Sequence, residues 1–286
     1  MQIGDIVVRK SYNKDITFKV IDIKEKNGKN NIILKGINIR IIADADIEDL
    51  DIAEEDGGSQ DKILNTRVNE AIKKAMILRG DLRDKVERAP KIKAKDDLVF
   101  GRPGRILHVD GDSEYMETCL KVYKQLSLDA VGRAIPEREQ PEVIVDLVKE
   151  IKPDIVVLTG HDSVVKDPAD YLNLDNYRNS RYYLESVKNL RNYNSSYDEL
   201  VIFAGACQSC YEMILDVGAN FASSPNRVLI HCLDPVFVCE KIAYTRIDKV
   251  VSITDVIENT ITGIKGVGGL QTRGKYREGY PKSRYI

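Results

Sequence analysis

Three short blocks hold the side chains that could act chemically on another molecule. DIVVLTGHD delivers His161 just after Gly160, and LVIFAGACQS delivers Cys207 just after Gly205 and Ala206. RILHVDGD delivers two acids, Asp110 and Asp112. A thiol and an imidazole are the two components of thiol nucleophilic catalysis, in which the thiolate attacks and the imidazole carries the proton. Small residues beside each let another backbone approach closely. Taken alone, Cys207 could equally be a buried hydrophobe or half of a Cys207-Gln-Ser-Cys210 metal or redox pair. Structural zinc wants four ligands, and the chain offers no second CxxC or HxxxH. A redox pair leaves His161 without a role. His108 and His231 sit inside apolar runs and read as structural.

The elements around these blocks explain how they could meet. From about Arg102 onward, apolar strand-like runs alternate with helix-like segments, the pattern of a parallel sheet covered by helices on both faces. In such a sheet, sites gather beyond the carboxyl ends of the strands. His161 and Cys207 both fall there, and neighbouring strands would bring them together with the sulfur open to a groove. QSCYEMILDVG reads as a helix whose first N–H groups and dipole favour a thiolate. RVLIHCLD reads as a further strand, and the Gly-rich ITGIKGVGGLQTRGK as loop.

The first 52 residues are strand-like and turn-rich, as in a small SH3-like β-barrel. Residues 53–101 form a helical, charged linker, with Val68, Ala71, Ile72, Met76 and Ile77 at helical spacing. Residues 102–286 form the α/β domain.

Composition narrows the function classes. Lys plus Arg number 43 against 45 Asp plus Glu, for a net charge of −2. That balance argues against nucleic acid as the main partner. No apolar run is long enough for a membrane span, and the start does not read as an export signal. Five cysteines, an odd number, then point to reduced thiols inside a cell. No metal or organic cofactor is called for, and nothing specifies an oligomeric state.

The paired blocks closing in Thr-Gly-His and Gly-Ala-Cys resemble the caspase-like cysteine peptidases. Longer strings, among them GDIVVRKSYNKDITFKV, YRNSRYY, GANFASSPNRVLIHCLDPV and TGIKGVGGLQTRGK, resemble the YabG family of sporulation-specific cysteine proteases across nearly the whole chain. The resemblance implies a caspase-like peptidase made in the cytoplasm of the mother cell, acting on spore coat and spore-assembly proteins. It makes Cys207 the nucleophile and His161 its base. Asp162 stands where the wider group has Gly after His, so the oxyanion donors expected here are the Cys207 amide with those of Gly160 or Asp162.

In caspase-like enzymes the loop after the first strand lines the P1 pocket. Here that loop carries Asp110 and Asp112, which could accept a guanidinium, with Asp162 as a third acid. Cleavage after Arg is the expectation. The alternative for these acids is a solvated turn or a helix cap at Asp112. Arg79, Arg83 and Arg88 in the linker, and Arg102 at its border, would then be sites of self-cleavage.

Overall fold

The computed structural model describes residues 1–26, 29–53, 58–87 and 99–283. A six-stranded sheet is built from β7 (Ile106–Asp110), β8 (Ala130–Ala134), β9 (Ile155–Thr159), β10 (Val201–Ala204), β11 (Phe221–Ser223) and β12 (Val267–Gly269). Its order is β12-β11-β10-β9-β7-β8; all pairs are parallel except β11–β12.

The three central strands are buried along their full length. Because side chains alternate across a strand, Ile106, Val157 and Phe203 enter one core with Tyr115, Cys119 and Tyr123 of α2 (Ser113–Gln125) and Phe237 of α6 (Asp234–Tyr244). Leu107, Val156, Leu158 and Ile202 enter the opposite core with Ile144 of α3 (Gln140–Ile151) and Tyr183 of α4 (Ser180–Tyr193). Helices on both faces force the strands to be apolar on both sides, hence the runs VVL and VIF.

Three local expectations change. RVLIHCLD is no strand of this sheet: it leaves the sheet after β11 and makes a single bridge, His231 to Ile39. The helix after Cys207 starts later, as α5 (Tyr211–Asp216). The Gly-rich tail is not all loop, since Val267–Gly269 supplies the antiparallel edge strand.

The N-terminal strands are β1 (Ile6–Arg9), β2 (Thr17–Lys26), β3 (Lys29–Gly36), β4 (Ile42–Asp46) and β5 (Leu50–Ile52). They form an antiparallel sheet in the order β4-β3-β2-β1-β5 around Val7, Phe18, Val20, Ile32 and Leu34. Among the described residues β4 and β5 do not pair, so the sheet is open where a barrel was expected. It is nevertheless curled. β4 and β5 lie on opposite edges, ~19 Å apart in a flat sheet of five strands, yet only the turn Ile47–Asp49 joins them.

The linker zone holds α1 (Ser59–Glu87), which packs Ile72 and Ala75, with Leu64, Val68 and Ala71, against the first core; Met76 and Ile77 are exposed. Arg79 and Arg83 lie on this helical backbone, Arg88 lies outside the described residues, and Arg102 is exposed in β6 (Phe100–Arg102). No helix among the described residues is long and apolar enough to cross a membrane.

Candidate active site

Strands β9 and β10 run side by side with Leu158 opposite Ala204, and the Gly205 amide extends the ladder to the Leu158 carbonyl at 3.0 Å. His161 and Cys207 each lie three residues past that pair. They therefore leave the same edge of the sheet from adjacent strands.

The turn at Cys207 is held by hydrogen bonds from its amides to three serine hydroxyls. Gly205 has φ +107° and Gln208 has φ +58°, so the chain reverses on both sides of the thiol. Ala206 donates to Ser209 Oγ at 2.8 Å, Gln208 to Ser224 Oγ at 3.0 Å, and Cys210 to Ser180 Oγ at 2.8 Å. These amides are thus spent on the turn, and α5 begins only at Tyr211. The helix expected to start directly after the thiol therefore does not place its first turn at Cys207.

His161 is held from three directions. Its Nε2 lies 3.0 Å from Asp112 Oδ2, its amide donates to Glu137 Oε1 at 2.6 Å, and its carbonyl accepts from Asn179 Nδ2 at 2.8 Å. An ionised Asp112 can only accept, so the imidazole proton sits on Nε2 and Nδ1 keeps the basic lone pair. Burial opposes the charge on Asp112, but hydrogen bonds from His161 and Lys35 outweigh it and bring its pKa down to about 2.

The other oxygen of Asp112 caps α2, accepting from the Glu114 and Tyr115 amides, and meets Lys35 Nζ at 2.6 Å. Asp112 is thus both the helix cap weighed above and a partner of the imidazole. The acid expected on a substrate guanidinium faces His161 and Lys35.

Gly160 admits Glu137: a Cβ there would collide with the Glu137 carboxylate. Asp162 is buried and accepts from the Ser163 and Asn179 amides and from the hydroxyls of Ser180 (2.5 Å) and Ser209 (2.9 Å). Burial raises its pKa despite these donors. Its carboxylate ties the His161 loop, the Cys207 turn and the start of α4 together, and has no free face for a substrate.

Asp110 is fully buried, and Arg40 from the loop between β3 and β4 reaches it, Nη2 to Oδ2 at 2.6 Å. Burial disfavours the carboxylate, but Arg40 holds its pKa far below the usual range. The guanidinium is gripped at one end only: Arg40 Nε and Nη1 have no hydrogen-bond partner among the described residues. Unpaired buried donors cost about 1–3 kcal/mol each. Thr159 donates to Asp110 Oδ2 at 2.8 Å and contacts His108 Nε2 at 2.7 Å; burial lowers the His108 pKa. His108 is structural in this setting, as is His231, whose Nδ1 accepts from the Leu233 amide.

Cys207 is not open to a groove. It is 1% exposed, and its sulfur accepts from the Ile230 amide at 3.2 Å. Burial pushes its pKa up to about 12, which the Ile230 amide only partly offsets. Cys210 faces elsewhere, its sulfur 3.6 Å from the Tyr171 carbonyl oxygen, and all five cysteines are free thiols.

Sequence reasoning did not anticipate Arg40, Lys35, Glu137 or the pairing of Asp112 with His161. For Asp112 the signal was available, since an acid two residues past one strand end lies beside the residue past the neighbouring end. For Arg40 and Lys35 no local pattern marks a side chain that leaves its own sheet.

A family model described as YabG peptidase U57 matches residues 2–281. The chain is 41% identical over 285 residues to the sporulation-specific protease YabG of Bacillus subtilis (strain 168), covering 98% of each chain.

Proposed function

Because this chain belongs to the YabG peptidase U57 family, we propose that it is a cysteine endopeptidase of sporulation, with Cys207 as nucleophile and His161 as its base. The observation that carries this reading is the parallel pairing of β9 with β10, from whose adjacent ends His161 and Cys207 both emerge. In the productive state Nδ1 of His161 takes the Cys207 proton, and the sulfur attacks the peptide carbonyl carbon. The Cys207 amide, with that of Gly160 or Asp162, donates to the oxyanion. His161 then protonates the departing amine, and water hydrolyses the acyl-enzyme. Asp112 holds the imidazole in the correct tautomer and steadies its cation, as the acid of a triad does.

Cleavage after Arg is supported by Asp110, a buried acid at the end of β7 that already receives a guanidinium. The substrates in this reading are spore coat and spore-assembly proteins in the mother cell. Self-processing belongs to the same reading, at Arg88 or at the exposed Arg102. Arg79 and Arg83 are poorer sites, because a helix must unwind before a peptidase can take it in extended form.

The test is to map, by mass spectrometry, the new termini that the purified protein generates in a coat-protein extract and in itself. Wild type should give termini following Arg, and the Cys207→Ala protein should give none. Identical termini from both would remove Cys207 from the chemistry.

A further inference from the structure

The loop Gly36–Ile41 is held from two sides, by Tyr115 and by the segment Ile230–Cys232. Tyr115, whose ring lies 5.7 Å from that of His161, donates its hydroxyl to the carbonyls of Gly36 (2.5 Å) and Ile39 (2.8 Å). On the other side the loop pairs in β fashion with the segment that covers Cys207. The Cys232 amide donates to the Asn38 carbonyl at 2.9 Å, Ile39 bridges His231 antiparallel, and the Arg40 amide donates to the Ile230 carbonyl at 3.4 Å. Ile230 is the residue whose own amide donates to Cys207 Sγ. From this strand-like stretch the Arg40 side chain descends to Asp110. An extended backbone pairing beside the thiol, with an arginine side chain on a buried carboxylate, is how a peptide substrate would bind.

We propose that Gly36–Ile41 is an internal pseudosubstrate: Arg40 occupies the arginine pocket at Asp110, and the loop keeps Cys207 covered until a competing chain displaces it. The proposal rests on the peptidase reading above and adds its regulation. Two details fit an inhibitor that is retained uncut and can be released. After Arg40 the chain folds back, Ile41 N donating to the Ile39 carbonyl at 2.8 Å, so the Arg40–Ile41 bond does not run on in extended form. The one-ended grip on the guanidinium leaves donors that a better-fitting arginine could satisfy.

The test is the rate at which iodoacetamide alkylates Cys207, read residue by residue by mass spectrometry, in wild type, Arg40→Ala and Tyr115→Phe. Circular dichroism monitors folding. Arg40→Ala should raise the Cys207 rate by at least about tenfold while Cys239, which does not touch Arg40, stays slow, and millimolar ethylguanidine should restore protection. Tyr115→Phe, which only loosens the loop and keeps the Arg40–Asp110 pair, should raise it about threefold. Hydrolysis of an arginyl reporter peptide should rise in parallel.

Wild-type labelling in a folded Tyr115→Phe protein and in Arg40→Ala would overturn the proposal, as would faster labelling that ethylguanidine does not suppress. If Arg40→Ala labels faster and is protected by ethylguanidine but cleaves no reporter, the peptidase reading fails and the internal occupant stands. If wild type cleaves the reporter as fast as Arg40→Ala and Cys207→Ala does not, the peptidase stands and the inhibition fails.

Discussion

Asp162 and Asp110 both sit where strands of the same parallel sheet end, and both are buried, but they obtain their donors from opposite sources. Asp162 draws on two amides and two hydroxyls, all from the loops and helix at the sheet's own edge. Asp110 draws its countercharge from Arg40, in the β3–β4 loop of the N-terminal sheet and 70 positions earlier in the chain. The first arrangement is a joint made wholly by loops and a helix of the six-stranded sheet. The second depends on a separate element staying in place, so it can be exchanged for an equivalent group. Their titration follows the same division: neutral donors do not overcome burial at Asp162, whose pKa is raised, whereas a guanidinium overcomes it at Asp110.

The largest expected effect concerns the acid between these two arrangements. Asp112→Asn should lower kcat by roughly 10²–10⁴-fold with little change in KM, because the amide can no longer hold the proton on Nε2 of His161. Steady-state kinetics on an arginyl peptide checks it. Next, Asp110→Asn should cost about 3–5 kcal/mol, since it leaves Arg40 buried without a countercharge. Arg40→Met combined with Asp110→Asn should recover most of that loss, as urea denaturation would register. A double variant no better than the single would mean that the pair is not exchangeable and would break the contrast with Asp162.

Asp162→Ala should cost about 2–3 kcal/mol, because four donors lose one acceptor. No substitution in the N-terminal sheet should restore it. The smallest effect is on acid stability. The folded pKa of Asp112, about 2, lies below the ~3.9 of an unfolded chain. Its contribution is therefore complete above about pH 4 and is lost as pH falls through about 2. Urea midpoints measured across that window should fall less steeply for Asp112→Asn than for wild type.

The apolar runs before His161 and Cys207, their glycines and the intervening helical periodicity were enough to read a parallel sheet with both residues beyond its carboxyl edge. Those signals are local, arising from side-chain alternation and backbone freedom within a few residues, so the order of amino acids carries them directly. Which elements would sit on that edge was not legible. RVLIHCLD has a strand's composition, yet it leaves the sheet to cover Cys207 and bridge to Ile39.

In the same way, Arg40 and Lys35 look like ordinary charges in a small β sheet, and only the docking of that sheet gives them Asp110 and Asp112. The placement of His161 and Cys207 past adjacent strand ends was thus set by sequence, and the cover over Cys207 by tertiary structure. An ion pair between distant elements needs only complementary charge at one point in space. It leaves no period or spacing along the chain from which it could be read.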